Sequence, residues 1–224
     1  MLSMLKRWLA GAPPLPEGWA EKSLATLPLL AVDLELTSLD VREAQITSAG
    51  WVEGRGSHID ISRCFYSVVR TRADLAQSPV IHGLTGADIA QGAHIKEVLE
   101  QLVGYAGTHL WVCHNANLDL SVLQAALSAQ QISCPPVVVL DTLKLAVYQL
   151  KKHHEVLPPN SATLTVCRQR LGLPAAPAHN ALDDAMATLQ LWFAQNQVLN
   201  GGKVVSVGDL LHTQAISCKK MEKN

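Results

Sequence analysis

The stretch Leu29–Thr37 reads Leu-Leu-Ala-Val-Asp-Leu-Glu-Leu-Thr and constrains the fold more than any other part of the chain. Side chains along a β-strand alternate between its faces. Leu30, Val32, Leu34 and Leu36 therefore share one face, and Leu29, Ala31, Asp33 and Glu35 share the other. An apolar run from Leu27 to Leu36 fits a strand covered on both sides. Two carboxylates side by side in such a strand are costly, because burial and mutual repulsion both oppose their charge. A divalent cation would relieve both penalties. The competing reading is an edge strand whose second face is solvated. The strand taken alone leaves the two open.

The rest of the chain gives that strand a setting. Ile46–Val52 and Ile61–Val69 read as further strands, rich in β-branched and aromatic residues, with Gly54 and Gly56 between them suited to a hairpin connection. Beyond them helical and extended spacings alternate. Helices are predicted over Ile95–Tyr105, Asn117–Gln130, Thr142–Lys152, Ser161–Leu171 and Asn180–Gln197, and short strands over His109–Cys113 and Val137–Val139. Three early strands followed by this alternation indicate an α/β domain with a mixed sheet. The segmentation is a leader over 1–20, one domain over 21–200 and a tail over 201–224. Leu2, Leu5 and Leu9 could form one helical stripe in the leader, which Pro13, Pro14 and Pro16 end.

Composition bounds the function. At 224 residues with 48% hydrophobic and 17% charged side chains, the chain reads as one folded domain. Its longest apolar runs, such as Pro28–Val32 and Pro135–Leu140, are far too short to span a membrane. Lys6 and Arg7 are followed by no sustained apolar stretch, so no secretory signal is read there, although the absence of acidic residues before Glu17 leaves organelle targeting open. The five cysteines form no CxxC pair, which argues against a zinc module or disulfide framework and for a reducing, cytoplasmic setting. A net charge of −1 does not suit a protein that grips long duplex nucleic acid. If nucleic acid is the partner, a short stretch in a pocket is the expectation.

Two more acidic positions accompany the strand. In His114–Leu123, Asp119 shares a helical stripe with Val122, Leu123 and Ala126 and so points toward the core. Capping or the helix dipole would explain an Asp there equally well. In His179–Ala185, Asn180 can cap the helix that follows, and Asp184 lies beside the stripe of Leu182, Ala185, Leu189 and Phe193. Asp183 points further round, toward solvent. His179 precedes the helix on a stretch able to move; by itself it is an ordinary loop residue. Together these residues match what phosphodiester hydrolysis requires. Two metal ions about 4 Å apart can clamp the attacking and leaving oxygens. Mg²⁺ or Mn²⁺ takes carboxylate ligands, here Asp33, Glu35, Asp119 and Asp184. An imidazole such as that of His179 can take the proton of the attacking water.

At this point the chain resembles the DEDDh exonucleases, the group that includes the proofreading epsilon subunit of bacterial DNA polymerase III. Three ordered motifs carry the resemblance: Asp33-Leu34-Glu35 followed by Leu36-Thr37-Ser38-Leu39, His114-Asn115-Ala116-Asn117-Leu118-Asp119, and His179-Asn180-Ala181-Leu182-Asp183-Asp184-Ala185. His82-Gly83-Leu84-Thr85 is a softer fourth match. The similarity runs from about Leu27 to Gln197. It implies an RNase H-like fold, a mixed five-stranded sheet flanked by helices. It implies Asp33, Glu35, Asp119 and Asp184 as ligands of two ions, Asp33 bridging them, and His179 as general base. It further implies a pocket for the terminal nucleotide at Leu36, Thr37, Ser38, Leu39, His82, Leu84 and Asn115. Two departures touch that pocket: Leu36-Thr37-Ser38 stands where the family has Thr-Thr-Gly, and Leu118 where it has an aromatic. The expected partner is a nucleic-acid 3′ end, single-stranded DNA first and RNA second, with a polymerase or other replication or repair protein as a further partner. An inactive binding module is the contrasting reading, and it would be favoured by the loss of one carboxylate; all are present.

The remaining features are bland. Gly201-Gly202-Lys203 lacks the spacing of a phosphate-binding loop. His153-His154, after Lys151-Lys152, suits a solvated helix end. Trp51, Trp111 and Trp192 are expected in the core, while Trp8 and Trp19 suit either partner docking or packing back onto the domain.

Overall fold

The computed structural model describes residues 14–71, 84–201, 203 and 205–221. Its centre is a six-stranded sheet in the order β3-β2-β1-β4-β5-β6. The strands are β1 (Pro28–Leu36), β2 (Ile46–Arg55), β3 (His58–Val68), β4 (Leu110–Cys113), β5 (Val137–Asp141) and β6 (Ile216–Lys219). β1 pairs antiparallel with β2 and parallel with β4. β2 and β3 form the antiparallel hairpin expected around Gly56, whose φ of 61° is a value glycine adopts without strain. β4 and β5 are parallel, and β6 closes the far edge antiparallel to β5. The helices are α1 (Gly86–Ala90), α2 (Ile95–Val103), α3 (Ala116–Ala129), α4 (Thr142–Leu150), α5 (Leu164–Arg170) and α6 (Ala181–Asn200), with a 3-10 turn at Gly208–Thr213.

The sheet is mixed and flanked by helices, as expected, but it has six strands among the described residues and not five. The sixth comes from the segment read as a tail. Ile-Ser-Cys-Lys is too short to show a period of its own, and its place is set by the free edge of β5. The end of the leader is also anchored. Leu24 donates its N–H to Val205 O at 2.9 Å, and Val207 and Gly208 donate theirs to Lys22 O and Ala20 O at 3.0 and 2.8 Å. Trp19 is buried against the same layer, so its role is packing; Trp8 and the leader's leucine stripe lie outside the described residues.

Each face of β1 has its own core, which accounts for the apolar run. Leu30, Val32 and Leu34 pack with Trp51, Trp111, α2 (Val98, Leu99, Leu102) and α3 (Leu120, Leu123, Leu127). Leu29 and Ala31 pack with Val52, Leu110, Leu140, α4 (Leu145) and α6 (Ala185, Leu189, Trp192). Trp51, Trp111 and Trp192 are buried as expected. Because β1 and β4 run parallel, the residues leaving both strands emerge at the same end of the sheet. Among the described residues, no helix is long and apolar enough to cross a membrane.

Candidate active site

Three chain segments meet at the end of the sheet where β1 and β4 finish. Asp33 and Glu35 come from β1. Asp33 stands opposite Gly50 of β2, and a β-bulge interrupts the pairing between Glu35 and Leu36. The first turn of α6 lies directly on this pair. A Cβ on Gly50 would sit 2.2 Å from Leu182 N and 2.3 Å from the carbonyl carbon of Ala181, distances no side chain can occupy. Glycine at 50 is thus what lets α6 approach. Asn180 caps the helix, its side chain accepting from Leu182 N and Asp183 N at 3.1 and 3.3 Å. Asp184, in that first turn, accepts the backbone N–H of His179 at 2.9 Å. The outcome is that Asp33, Glu35 and Asp184 each bring a carboxylate oxygen within 4.8 Å of the others.

Asp119 approaches from α3. It is 8% exposed, and its charge is the largest neighbouring-charge influence on Asp33. A residue absent from the sequence reading builds the turn that delivers it. Asp141, 2% exposed at the end of β5, accepts from Leu143 N and Lys144 N to cap α4. It also accepts from Asn115 N and Ala116 N, both at 3.2 Å. One carboxylate thereby ties the β4–α3 turn to the β5–α4 turn, with Asn115 in the left-handed region at φ 70°. An Asp that ends an apolar run and opens a helix is a cap signature, and that signal was available at Val137–Asp141. His114 is equally committed: its ring nitrogens bond Thr142 Oγ1 and Ala162 O, both at 2.9 Å, and burial holds its pKa below the usual value.

The electrostatics are those of a carboxylate cluster in which burial opposes the charged form of every member. Burial raises Asp33 well above the usual carboxylate range, and the charges of Asp119, Asp184 and Glu35 add to it. Burial and then Asp184 raise Glu35 to about 7. Burial, Glu35 and Asp141 raise Asp119 to about 8. Asp184 is raised by burial, against the opposing N–H of His179. Without an added cation these groups hold protons more tightly than free carboxylates do; a divalent cation would take the protons' place. The donors are all carboxylate oxygens, which suit a hard cation such as Mg²⁺ or Mn²⁺.

The other expected residues fall around this cluster. Leu36 is buried at the bulge, and Thr37 closes the turn to β2: its N–H donates to Gln45 O and its Oγ1 accepts from Gln45 N, both at 3.0 Å. The backbone donor of Thr37 is therefore engaged within the protein. Ser38 is half-buried and accepts from Asp40 N, whereas Leu39 is 83% exposed beside the acidic end. Leu84 is half-buried, Asn115 and His179 are exposed, and His82 lies outside the described residues. His179 has φ 66°, in the left-handed region.

This architecture and this acidic end define a known class. The profile of the RNase_T family, described as "Exonuclease", matches residues 30–192, and the chain belongs to that family. Its fold is the RNase H-like fold of those exonucleases. It is 28% identical over 164 residues to DNA polymerase III PolC-type of Thermotoga maritima, which covers 73% of this chain and 11% of the relative. It is 27% identical over 165 residues to the 3′-5′ exonuclease DinG of Staphylococcus haemolyticus, covering 71% of this chain and 17% of that one. The chain thus spans a small part of these relatives' length. Among solved structures, cell-death related nuclease 4 superimposes with a TM-score of 0.66 at 17% identity, covering 81% of this chain and 67% of the other. Exonuclease X, in complex with 5′ overhanging duplex DNA, superimposes with a TM-score of 0.60 at 22% identity, covering 82% and 99%.

Proposed function

We propose that the protein is a divalent-metal-dependent 3′→5′ exonuclease that hydrolyses the terminal phosphodiester bond of single-stranded DNA. The observation that carries this reading is the convergence of Asp33, Glu35 and Asp184, with Asp119 adjacent, in a setting that disfavours their charge. Family membership and a relative named as a 3′-5′ exonuclease support it. Asp33, Glu35, Asp119 and Asp184 would hold two ions, Mg²⁺ or Mn²⁺. When bound, the ions supply charge that activates water and stabilises the leaving oxygen. His179 is the general base, brought beside Asp184 by the bond between its own N–H and that carboxylate. Leu39 offers an exposed apolar surface for the terminal base, and Leu36, Thr37, Ser38, Leu84 and Asn115, with His82 assigned from its motif alone, are the other residues of the nucleotide pocket. Apolar packing against a base tolerates any base. Five cysteines and no disulfide suit the reducing cytoplasm, and the resemblance to a polymerase suits a replication or repair partner.

The test is degradation of end-labelled single- and double-stranded DNA and RNA with Mg²⁺, Mn²⁺ or chelator. Release of mononucleotides from single-stranded DNA 3′ ends, abolished by chelator, is the expected result. RNA preferred over DNA would transfer the reading to an exoribonuclease that uses the 2′-OH. No hydrolysis with any substrate, together with no Mn²⁺ binding, would overturn it in favour of an inactive binding module.

A further inference from the structure

Arg168 of α5 is 4% exposed, an unusual place for a charge that no carboxylate pairs within salt-bridge distance among the described residues. Its guanidinium forks between two backbone carbonyls, donating from Nη1 to Ala187 O at 2.8 Å and from Nη2 to Pro174 O at 2.9 Å, while Nε has no partner. Ala187 lies one turn beyond Asp184 on α6, and Pro174 opens the loop that ends in His179. The docking of α5 is separately explained by a small core of Ala146, Cys167 and Leu191 with Leu164, Leu171 and Leu173. A buried cation is therefore not needed merely to seat that helix.

The loop is fastened at both of its ends. Pro174 O is held by Arg168, and His179 N–H is held by Asp184 Oδ2. Between the two anchors, Pro174 and Pro177 restrict the backbone, and His179 is turned into the left-handed region. We propose that Arg168 is a positioning residue: its planar fork fixes the spacing between the start of the His179 loop and α6, and so sets where the imidazole stands relative to the carboxylates. The proposal rests on the exonuclease reading. The Arg168 and Asp184 charges also act on each other through the interior, which offsets part of the cost of burying the cation. A lysine keeps that charge but presents a single nitrogen and cannot reproduce the two-pronged geometry.

The experiment is a double-mutant cycle in the full chain. Arg168→Met, His179→Ala and the pair are compared for kcat and KM on labelled single-stranded DNA, for Mn²⁺ affinity by calorimetry, and for amide exchange. Arg168→Met is expected to lower kcat by about tenfold to a hundredfold, because misplacing a catalytic group by about 1 Å can cost about a hundredfold. KM and Mn²⁺ affinity should hardly change, and amides of residues 175–179 should exchange faster while those of β1 and β4 do not. In the His179→Ala background the same change should cost little further, since two residues acting through one group are not additive. Arg168→Lys should recover only part of the lost rate. Equal cost in both backgrounds, an unchanged kcat, or a loss that follows Mn²⁺ affinity would overturn the proposal. If Arg168→Met does not fold, Arg168→Lys takes its place in the cycle. If the unaltered chain hydrolyses nothing, the exonuclease reading fails. The exchange arm still decides whether Arg168 fastens the loop.

Discussion

Carboxylates wholly or partly withdrawn from water occur at both ends of the β1–β2 pair, and the two ends treat them differently. Toward the far end, Glu53 is 13% exposed in its side chain but has a counter-charge at hand in Arg63, whose Nη1 lies at 3.3 Å, with the His109 ring as a second neighbour, Nε2 at 3.5 Å. It sits beside an open cavity lined by Trp51, Phe65 and Tyr105, where Trp51 stacks on Phe65 at 3.9 Å. At the near end Asp33, Glu35, Asp119 and Asp184 gather against one another; burial raises all four, and charges of neighbouring members add to it at Asp33, Glu35 and Asp119. An acid that the fold supplies with cations is structural. Acids that the fold gathers where burial and neighbouring carboxylates oppose their charge are the candidates for holding a divalent cation. Asp141 shows a third solution, a carboxylate satisfied by backbone N–H groups alone.

The largest expected effect is at the near end. Asp33→Asn should lower exonuclease rate by more than about 10³-fold, since it removes a donor to the charge that stabilises the reacting oxygens. Glu53→Gln should leave the rate within about threefold and instead lower stability, because Arg63 and His109 lose their partner. Rates and thermal melts of both variants measure the contrast; equal losses of rate would erase it. His179→Ala comes next, at about 10²–10⁴-fold in kcat with Mn²⁺ binding retained. Calorimetry and initial rates separate the two, and full activity would remove His179 from the mechanism.

Gly50→Ala sharpens the geometry. Its Cβ collides with backbone at Ala181 and Leu182, so α6 must shift and carry Asp184 with it. Overpacking of this kind costs roughly 1–3 kcal/mol. The stabilisation by Mn²⁺, about 2.7 kcal/mol at a hundredfold excess over Kd, should shrink in the variant. Thermal melts with Mn²⁺ and with chelator give both numbers, and an undiminished metal increment would show that the approach of α6 does not shape the site. The smallest effect is a pH dependence in chelator. Glu35 and Asp119 hold protons more tightly folded than unfolded, with pKa values of about 7 and about 8 against 4.5 and 3.8. Their contribution is complete below about pH 4 and is lost as pH rises through 7 to 8. Denaturant midpoints at pH 5 and pH 8 should differ in chelator and converge with Mn²⁺.

Much of this was legible without coordinates, because the signals were local. β1 follows from an apolar run of alternating side chains, and α6 from Asn180 and its apolar stripe, each set by the geometry of one segment. The candidate site was legible as residue types: Asp33, Glu35, Asp119 and Asp184 stood out as acids beside apolar neighbours, with His179 just ahead of the last of them. What tertiary structure alone decided depends on groups distant in the chain. β6 exists because β5 has a free edge, and nothing in Ile-Ser-Cys-Lys announces it. Gly50 matters only because α6 lands on it, and Arg168 only because Ala187 and Pro174 come within reach of one guanidinium. Whether the carboxylates face solvent or one another likewise depends on packing two cores against both faces of β1. Sequence periodicity reports which side of its own element a residue occupies. It carries no information about which other element is there to meet it.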